Sequence, residues 1–231
     1  MFNKYTFIHD ETSKLFFVSD THFCHNKDFI WKKRGFTSVE EHDQTIISRW
    51  NSLVSHQDNI IHLGDFLVGG GTNARGKSIE IIHKLNGKIH FLWGNHNSGV
   101  KDIYKELVNG IFPNCQETTE LYPLTYSDKF TFYGNNILIK VKTPKKSYFV
   151  FCSHFAHRIW IDSHHGDVLH LSGHSHGRDI ESQPEFQNVK RLDVGIENFG
   201  GPVAFNDILN IMDKKNLMVI DHHNSKTSKS F

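Results

Sequence analysis

The chain reads as an α/β protein, on three counts. Its first hundred residues alternate short apolar runs with helical periodicity, its second half is a succession of strand-like segments, and clusters of Asp, His and Asn recur just after apolar runs. A length of 231 residues suits one large domain better than two, expected over residues 1–220 with a polar tail at 221–231. No repeat, low-complexity tract or dividing linker interrupts it.

Residues 14–20, KLFFVSD, form an apolar run that ends in a polar residue, as a buried strand carrying Asp20 at its C-terminal end does. A loop at 21–37 leads to Ser38-Val-Glu-Glu41, a capping-box pattern, and Ile46, Ile47, Trp50, Leu53 and Val54 then follow helical spacing, which predicts an amphipathic helix over 38–54. A second buried strand, 59–63, ends at Gly64-Asp65. After the loop from Gly69 to Arg75 a helix is expected over 76–86, stopped by Gly87. A third strand, 88–93, ends at Gly94-Asn95-His96, and a short helix follows near 100–109. This β-α-β-α-β-α order predicts parallel strands with crossover helices. Further strands are expected at 116–122, 129–133, 136–142, 147–153, 167–173 and 189–194, with a turn at Gly134-Asn135-Asn136 and one helix at 205–213.

Composition narrows the function. The 26 basic and 25 acidic residues nearly cancel, which argues against a protein held to nucleic acid or membrane by bulk charge, though not against a local basic groove. Hydrophobic residues make up 38% of the chain, enough for a core. Cys24, Cys115 and Cys152 are odd in number and widely spaced, so a disulfide framework or cysteine-based zinc site is not expected. With no signal-peptide pattern and no long apolar run, the expectation is a cytoplasmic protein without a membrane partner.

Histidine is abundant, at 18 residues, and five of these belong to a set of five polar clusters: Asp20-Thr-His22, Gly64-Asp65, Gly94-Asn95-His96, Ser153-His154 and Gly173-His174-Ser-His176. Ligands of open α/β sheets bind at the C-terminal ends of the strands, so five strand ends would converge these side chains on one crevice. Any one cluster alone is commonplace, and His62, His83 and His90 are read as packing or surface residues, His222 and His223 as solvated. Five clusters in order at strand ends exceed what packing requires. Asp, His and Asn together suit a borderline divalent cation such as Mn, Fe, Zn or Ni better than Ca or Mg. In Asp20/His22 and His174/His176 the candidates stand two apart, and on extended backbone they would point the same way, serving two neighbouring ions or one shared cavity. Glycines 64, 94 and 173 would allow tight turning. Seven candidates exceed one four-coordinate ion and fit two, with Asp65 the natural bridge.

The clusters resemble the signature of the calcineurin-like metallophosphoesterase superfamily, D-x-H, G-D, G-N-H-[DE], H, G-H-x-H. More narrowly the chain is similar to a small phage and bacterial branch that begins D-T-H-F-G-H. Here that stretch is Asp20-Thr-His-Phe-Cys-His25, followed by Arg34-Gly-Phe36, SVEEHDQTIISRWN, IIHLGDF, LNG and LDVGIENFGGPVAFNDIL, a likeness spanning residues 15–213. The resemblance implies two packed mixed β-sheets flanked by helices, an αββα sandwich. It also implies a first metal on Asp20, His22 and His176, a second on Asn95, His154 and His174, Asp65 between them, and His96 outside the metal shell near the leaving group. Two departures stand out. Asn97 replaces the usual acid after G-N-H, which would have oriented His96 and raised its pKa. Cys24 replaces a glycine, as a small packing residue or a redox-sensitive one.

The expected activity is therefore hydrolysis of phosphate esters with two divalent ions, manganese foremost and Fe, Zn or Ni as alternatives, which lower the pKa of a shared water for in-line attack while His96 protonates the departing oxygen. A nucleotide or oligonucleotide end is the first expectation for substrate, hence a phosphodiesterase. A phosphomonoester, a phosphoprotein included, is the alternative. Arg158 and His25 are the candidate substrate contacts, with Trp31-Lys-Lys-Arg34, His157 and Trp160 placed similarly. A non-catalytic scaffold of the same fold would show substituted ligands, and all seven positions here carry metal-capable side chains.

Overall fold

Strands legible as unbroken apolar runs are buried on both faces. The computed structural model of the chain describes residues 4–111, 122–178 and 188–217. In it β2 (Leu15–Val18), β3 (Asn59–His62) and β4 (Lys88–Phe91) lie side by side and parallel, linked by the helices α2 (Val39–Leu53) and α3 (Ala74–Lys84), as the β-α-β order predicts. Along β2 the side chains alternate between two cores. Leu15 and Phe17 face a core shared with the second sheet, and Phe16 and Val18 face one shared with helices. Both faces being apolar, the strand shows no polar alternation.

The first sheet has six strands. β11 (Val203–Ala204) runs antiparallel to β2 on one edge; on the other, β6 (Phe130–Phe132) is parallel to β4, and β5 (Leu124–Ser127) is antiparallel to β6. The second sheet has five strands in the order β1 (Lys4–Ile8), β7 (Asn136–Lys142), β8 (Ser147–Ser153), β9 (Val168–Ser172) and β10 (Arg191–Asp193), all pairs parallel except β7 with β8. Two mixed sheets flanked by helices, the predicted architecture, are thus observed.

Between the sheets lie Phe17, Ile61, Leu63, Ile139, Val150 and Leu171, joined at one end by Phe205, Ile208 and Met212 of α6 (Phe205–Met212). The outer face of the first sheet packs on Ile46, Ile47 and Trp50 of α2, Ile81 and Ile82 of α3, and Val100 and Ile103 of α4 (Ser98–Ile111). Among the described residues the outer face of the second sheet is covered by Trp160 and Val189. Helix α2 starts as predicted: the Ser38 hydroxyl accepts from the Glu41 backbone N–H at 3.1 Å. The reciprocal half of the capping box is displaced by one residue, because Glu41 Oε2 accepts from the backbone and hydroxyl of Thr37 instead.

Some boundaries and elements differ from expectation. Helix α3 starts and ends two residues early, and Gly87 follows its C-cap, Leu85, by two positions, with φ +82°. The expected loop at 21–37 contains one turn of helix, α1 (Asp28–Trp31). Strands β1, β5 and β11 and the short α5 (Ile196–Phe199) were not anticipated. The Gly134–Asn136 turn joins β6 to β7, which belong to different sheets, so it carries the chain across the sandwich. The strand expected at 116–122, Cys115 and the tail from 218 onward lie outside the described residues except for Tyr122.

Candidate metal centre

All five clusters sit at one end of the sandwich. Asp20 and His22 follow β2, Asp65 follows β3, Asn95 and His96 follow β4, His154 follows β8, and His174 and His176 follow β9. The loops pack so closely that side chains are excluded between them. A Cβ on Gly94 would stand 2.1 Å from Asp65 Oδ1, and one on Gly173 would stand 2.0 Å from Ser19 Oγ. Of the three glycines expected to turn the chain, only Gly64 has a positive φ, +101°; Gly94 and Gly173 are needed for space rather than for conformation.

The left-handed conformations fall on the candidate ligands themselves. Asp20 (φ 58°), His22 (50°), Asp65 (56°), His174 (69°) and His176 (51°) are all in that region. The expectation that ligands two apart share a side through extended backbone is therefore corrected: tight kinks aim them. Such conformations cost roughly 1–3 kcal/mol each and persist only where surrounding structure imposes them, which is characteristic of functional sites.

Donor atoms of Asp20, His22 and His176 lie within 4.8 Å of one another, and so do those of Asp20, Asp65 and His154. Asp65 faces both ways, with Oδ2 3.5 Å from His22 Nε2 and Oδ1 3.6 Å from His154 Nε2. Asn95 joins through its Oδ1, 2.9 Å from His154 Nε2. His174 stands beside His154, ring centroids 5.2 Å apart, but its ring is exposed and outside both compact groups; its backbone N–H donates to Asp20 Oδ2 at 2.9 Å.

The hydrogen bonds leave unprotonated nitrogens turned inward. His154 Nδ1–H donates to the Leu63 carbonyl at 2.8 Å, so Nε2 presents a lone pair to the oxygens of Asn95 and Asp65, three acceptors with no proton among them. His176 Nδ1 bonds Glu197 Oε1 at 2.6 Å. Among the described residues Asp20 Oδ1 and His22 Nε2 are buried with no hydrogen-bond partner, 3.8 Å apart. Orphaned buried acceptors are rare, and an ion is one of their accepted explanations. Histidines anchored through one ring nitrogen with the other free are what metal ligation requires. The residues present thus fit a divalent cation.

Electrostatics point the same way. Burial, reinforced by Asp193, Asp65 and Glu197 and opposed by His176, pushes the Asp20 carboxyl up to about 8. Burial, with Arg34 and His176 adding to it, drives His22 far below its ordinary value. His154 is lowered by burial against the pull of Asp65, whereas the Glu197 hydrogen bond raises His176. With His22 and His154 held toward the neutral form, a carboxylate whose charge is disfavoured by burial makes a site that a cation would relieve.

His96 lies on the exposed rim; its backbone N–H donates to Asp65 Oδ1 at 2.7 Å and its ring is 5.9 Å from that of His22. Asn97 turns back on the Gly94 peptide, accepting from its N–H at 3.2 Å and donating to its carbonyl at 2.6 Å, so it shapes the loop. His25 Nδ1 is 3.3 Å from His22 Nδ1. Arg158 is exposed on the segment after β8 and does not line the cavity beside His176. His157 bonds Ser153 and His170, and Trp160 is buried in the outer core, so both serve packing. Burial pushes the half-buried Cys24 thiol up to about 12, as suits a packing residue rather than a reactive one.

Three residues were not anticipated as parts of this site. Arg34, read as one end of a basic run, turns inward: it donates to the carbonyls of Asp20 (2.7 Å) and Thr21 (3.1 Å), to His42 Nε2 (2.8 Å) and to Glu197 Oε1 (2.5 Å). Glu197 links that guanidinium to His176. Burial works to raise Glu197, but the hydrogen bonds and charges of His176 and Arg34 outweigh it and hold it below its ordinary value. His62, read as packing, accepts from the Gly64 N–H at 3.2 Å and meets Thr21 Oγ1 at 3.0 Å, bracing two ligand loops. Glu197 lies in the glycine-rich closing segment LDVGIENFGGPVAFNDIL, where Asp193 and Asp207 also stand, so its sequence neighbourhood did not single it out.

No protein-family model matches the chain. An uncharacterized protein of Methanocaldococcus jannaschii is 26% identical over 206 residues, covering 87% of this chain and 92% of its own length. The gene 66 protein of Mycobacterium phage L5 is 25% identical over 208 residues, covering 87% and 95%. Among solved structures, a protein of unknown function from Aquifex aeolicus superposes with a TM-score of 0.56 at 18% identity, over 86% of this chain and 99% of that one, a likeness of fold. No helix among the described residues is long and apolar enough to cross a membrane. What this chain has in common with the Aquifex protein is a fold, and within that fold its own Asp and His residues cluster where a metal could be held.

Proposed function

We propose that the protein is a metal-dependent phosphoesterase of the calcineurin-like metallophosphoesterase type, acting on phosphodiesters of nucleotide-type substrates. The observation that carries this reading is the convergence of Asp, His and Asn donors from five strand ends with buried Asp20 Oδ1 and His22 Nε2 left for a cation. Two further observations support it. The position where the D-T-H-F-G-H motif has glycine is Cys24, at φ +61°, a conformation glycine serves best. A phage relative accords with the phage and bacterial branch.

Asp20, His22 and His176 would hold one ion and His154, Asn95 and His174 a second, with Asp65 shared, its two oxygens turned to opposite groups. Divalent cations held there, manganese first, would supply Lewis acidity to the phosphoryl oxygens and acidify water. The chain's own part is to fix the geometry and handle the proton. Leu63 and Glu197 lock the His154 and His176 rings through Nδ1. Water bonds to phosphorus as the P–O bond to the leaving oxygen breaks; His96, on the open rim, donates a proton to that oxygen, and the proton released by the water passes to solvent, from which His96 is reprotonated. With Asn97 committed to Gly94, no side-chain carboxylate at that position assists His96, which favours good leaving groups.

The test is hydrolysis of bis-p-nitrophenyl phosphate against p-nitrophenyl phosphate, by EDTA-treated protein with and without manganese. Metal-dependent turnover favouring the diester is expected. Exclusive monoester hydrolysis would make the protein a phosphatase. Full activity in EDTA, or none with any divalent ion, would end the proposal.

A further inference from the structure

Beside the metal centre a cavity of about 350 Å³ opens between α1 and the His174–Arg178 loop, bordered by Phe29, Lys33, Arg34, His176, Arg178 and Glu197. A second, of about 270 Å³, continues from the same Lys33–Arg34–Glu197 wall to Arg49, whose guanidinium lies over Gly200. Among the described residues Glu197 is the one acid lining either cavity, and it is engaged by Arg34 and His176. Lys33, Arg49 and Arg178 are exposed, leaving three cations along the two cavities in a chain whose net charge is only +1. At the mouth nearer the metal residues Phe29 is 58% exposed, a large apolar ring held in solvent by an edge contact with His25.

Successive cations beside an exposed aromatic ring are what a single-stranded nucleic acid needs: charge along the backbone and a face on which a base stacks. One phosphate would use only the part next to His176; the stretch reaching Arg49 serves a further phosphate of the same chain. We infer that this groove binds the strand flanking the scissile phosphate, so that the substrate class is a single-stranded oligonucleotide, with Phe29 the stacking platform and Lys33, Arg49 and Arg178 the backbone contacts. The inference rests on the phosphoesterase reading of the adjoining site.

The experiment is fluorescence anisotropy of the manganese-loaded full chain with a fluorescein-labelled phosphorothioate oligothymidylate of about six nucleotides, which resists cleavage. Binding should weaken with salt with a log–log slope of about −2, the value for three phosphate contacts on a single strand. Phe29→Ala and the double variant Lys33→Ala/Arg49→Ala should each weaken it by about tenfold. Lys214→Ala, removing an exposed charge on the α6 end, should not. All four side chains are exposed, and unchanged thermal midpoints would verify the fold. Absence of binding, equal loss in Lys214→Ala, or competition by thymidine monophosphate as effective as by the unlabelled oligomer would overturn the groove. Hydrolysis of bis-p-nitrophenyl phosphate without oligomer binding would discard the groove alone; groove-dependent binding without hydrolysis would discard the phosphoesterase reading alone.

Discussion

The floor and the rim of the metal centre are built differently. On the floor Asp20, His22, Asp65 and His154 are buried, and each is tied to backbone or side chains of other elements. On the rim Asn95, His96 and His174 are exposed. Burial shifts the proton affinities of Asp20, His22 and His154 and leaves Asp20 Oδ1 and His22 Nε2 without partners. The floor is thus suited to holding charge and the rim to meeting a substrate, and substitutions can tell the two apart.

Removing the floor's shared carboxylate should have the largest effect. Asp65→Ala is expected to abolish turnover and to reduce bound metal, read by elemental analysis of dialysed protein; an unchanged metal content would show that Asp65 is not a ligand. On the rim, His96→Ala should keep its metal and lose about 10²–10⁴ in kcat, the usual worth of a general acid. Loss of metal from that variant would move His96 to the floor.

Acid should next loosen the scaffold beneath both regions. Burial lowers His62 and His170 to about 3 from an ordinary 6.5. A histidine depressed in the fold costs nothing above its unfolded pKa. Below 6.5 the unfolded chain takes up the proton first, so stability falls as pH drops from 6.5 toward 3. At pH 5 the cost is about 2 kcal/mol for each. Denaturant melts of metal-free protein at pH 7 and pH 5 check this; equal midpoints would contradict it. The smallest effect is expected where floor meets support: Glu197→Gln should weaken metal affinity by about 10–100-fold, measured by chelator competition, while leaving the fold intact.

The candidate donors stood out in the sequence because each follows an apolar run. Strands such as Leu15–Val18 and Asn59–His62 are buried on both faces, which makes their ends conspicuous, and the polar residue just past each end is what the site uses. The supports were not legible. Arg34 and Glu197 are 163 positions apart, and nothing local to either announces the bond. The kinks at Asp20, His22, Asp65, His174 and His176 were hidden for another reason: Asp and His adopt positive φ more often than most residues but still in a minority of cases, so their conformation here reflects the packing of loops against loops. Edge strand β1, KYTFI, mixes polar and apolar residues and lies outside the apolar runs that identify the central strands, and the two-residue β11 carries no signal.

The candidate donors are divided between the sheets: Asp20, His22, Asp65 and Asn95 end strands of the first, His154, His174 and His176 strands of the second. A cation seated among them is therefore also a rivet between layers that otherwise adhere through apolar packing. Occupancy should raise the melting temperature in proportion to the logarithm of free ion concentration, as any ligand of the folded state alone does. The ion's arrival would then be registered by the whole sandwich, not only by the chemistry at its end.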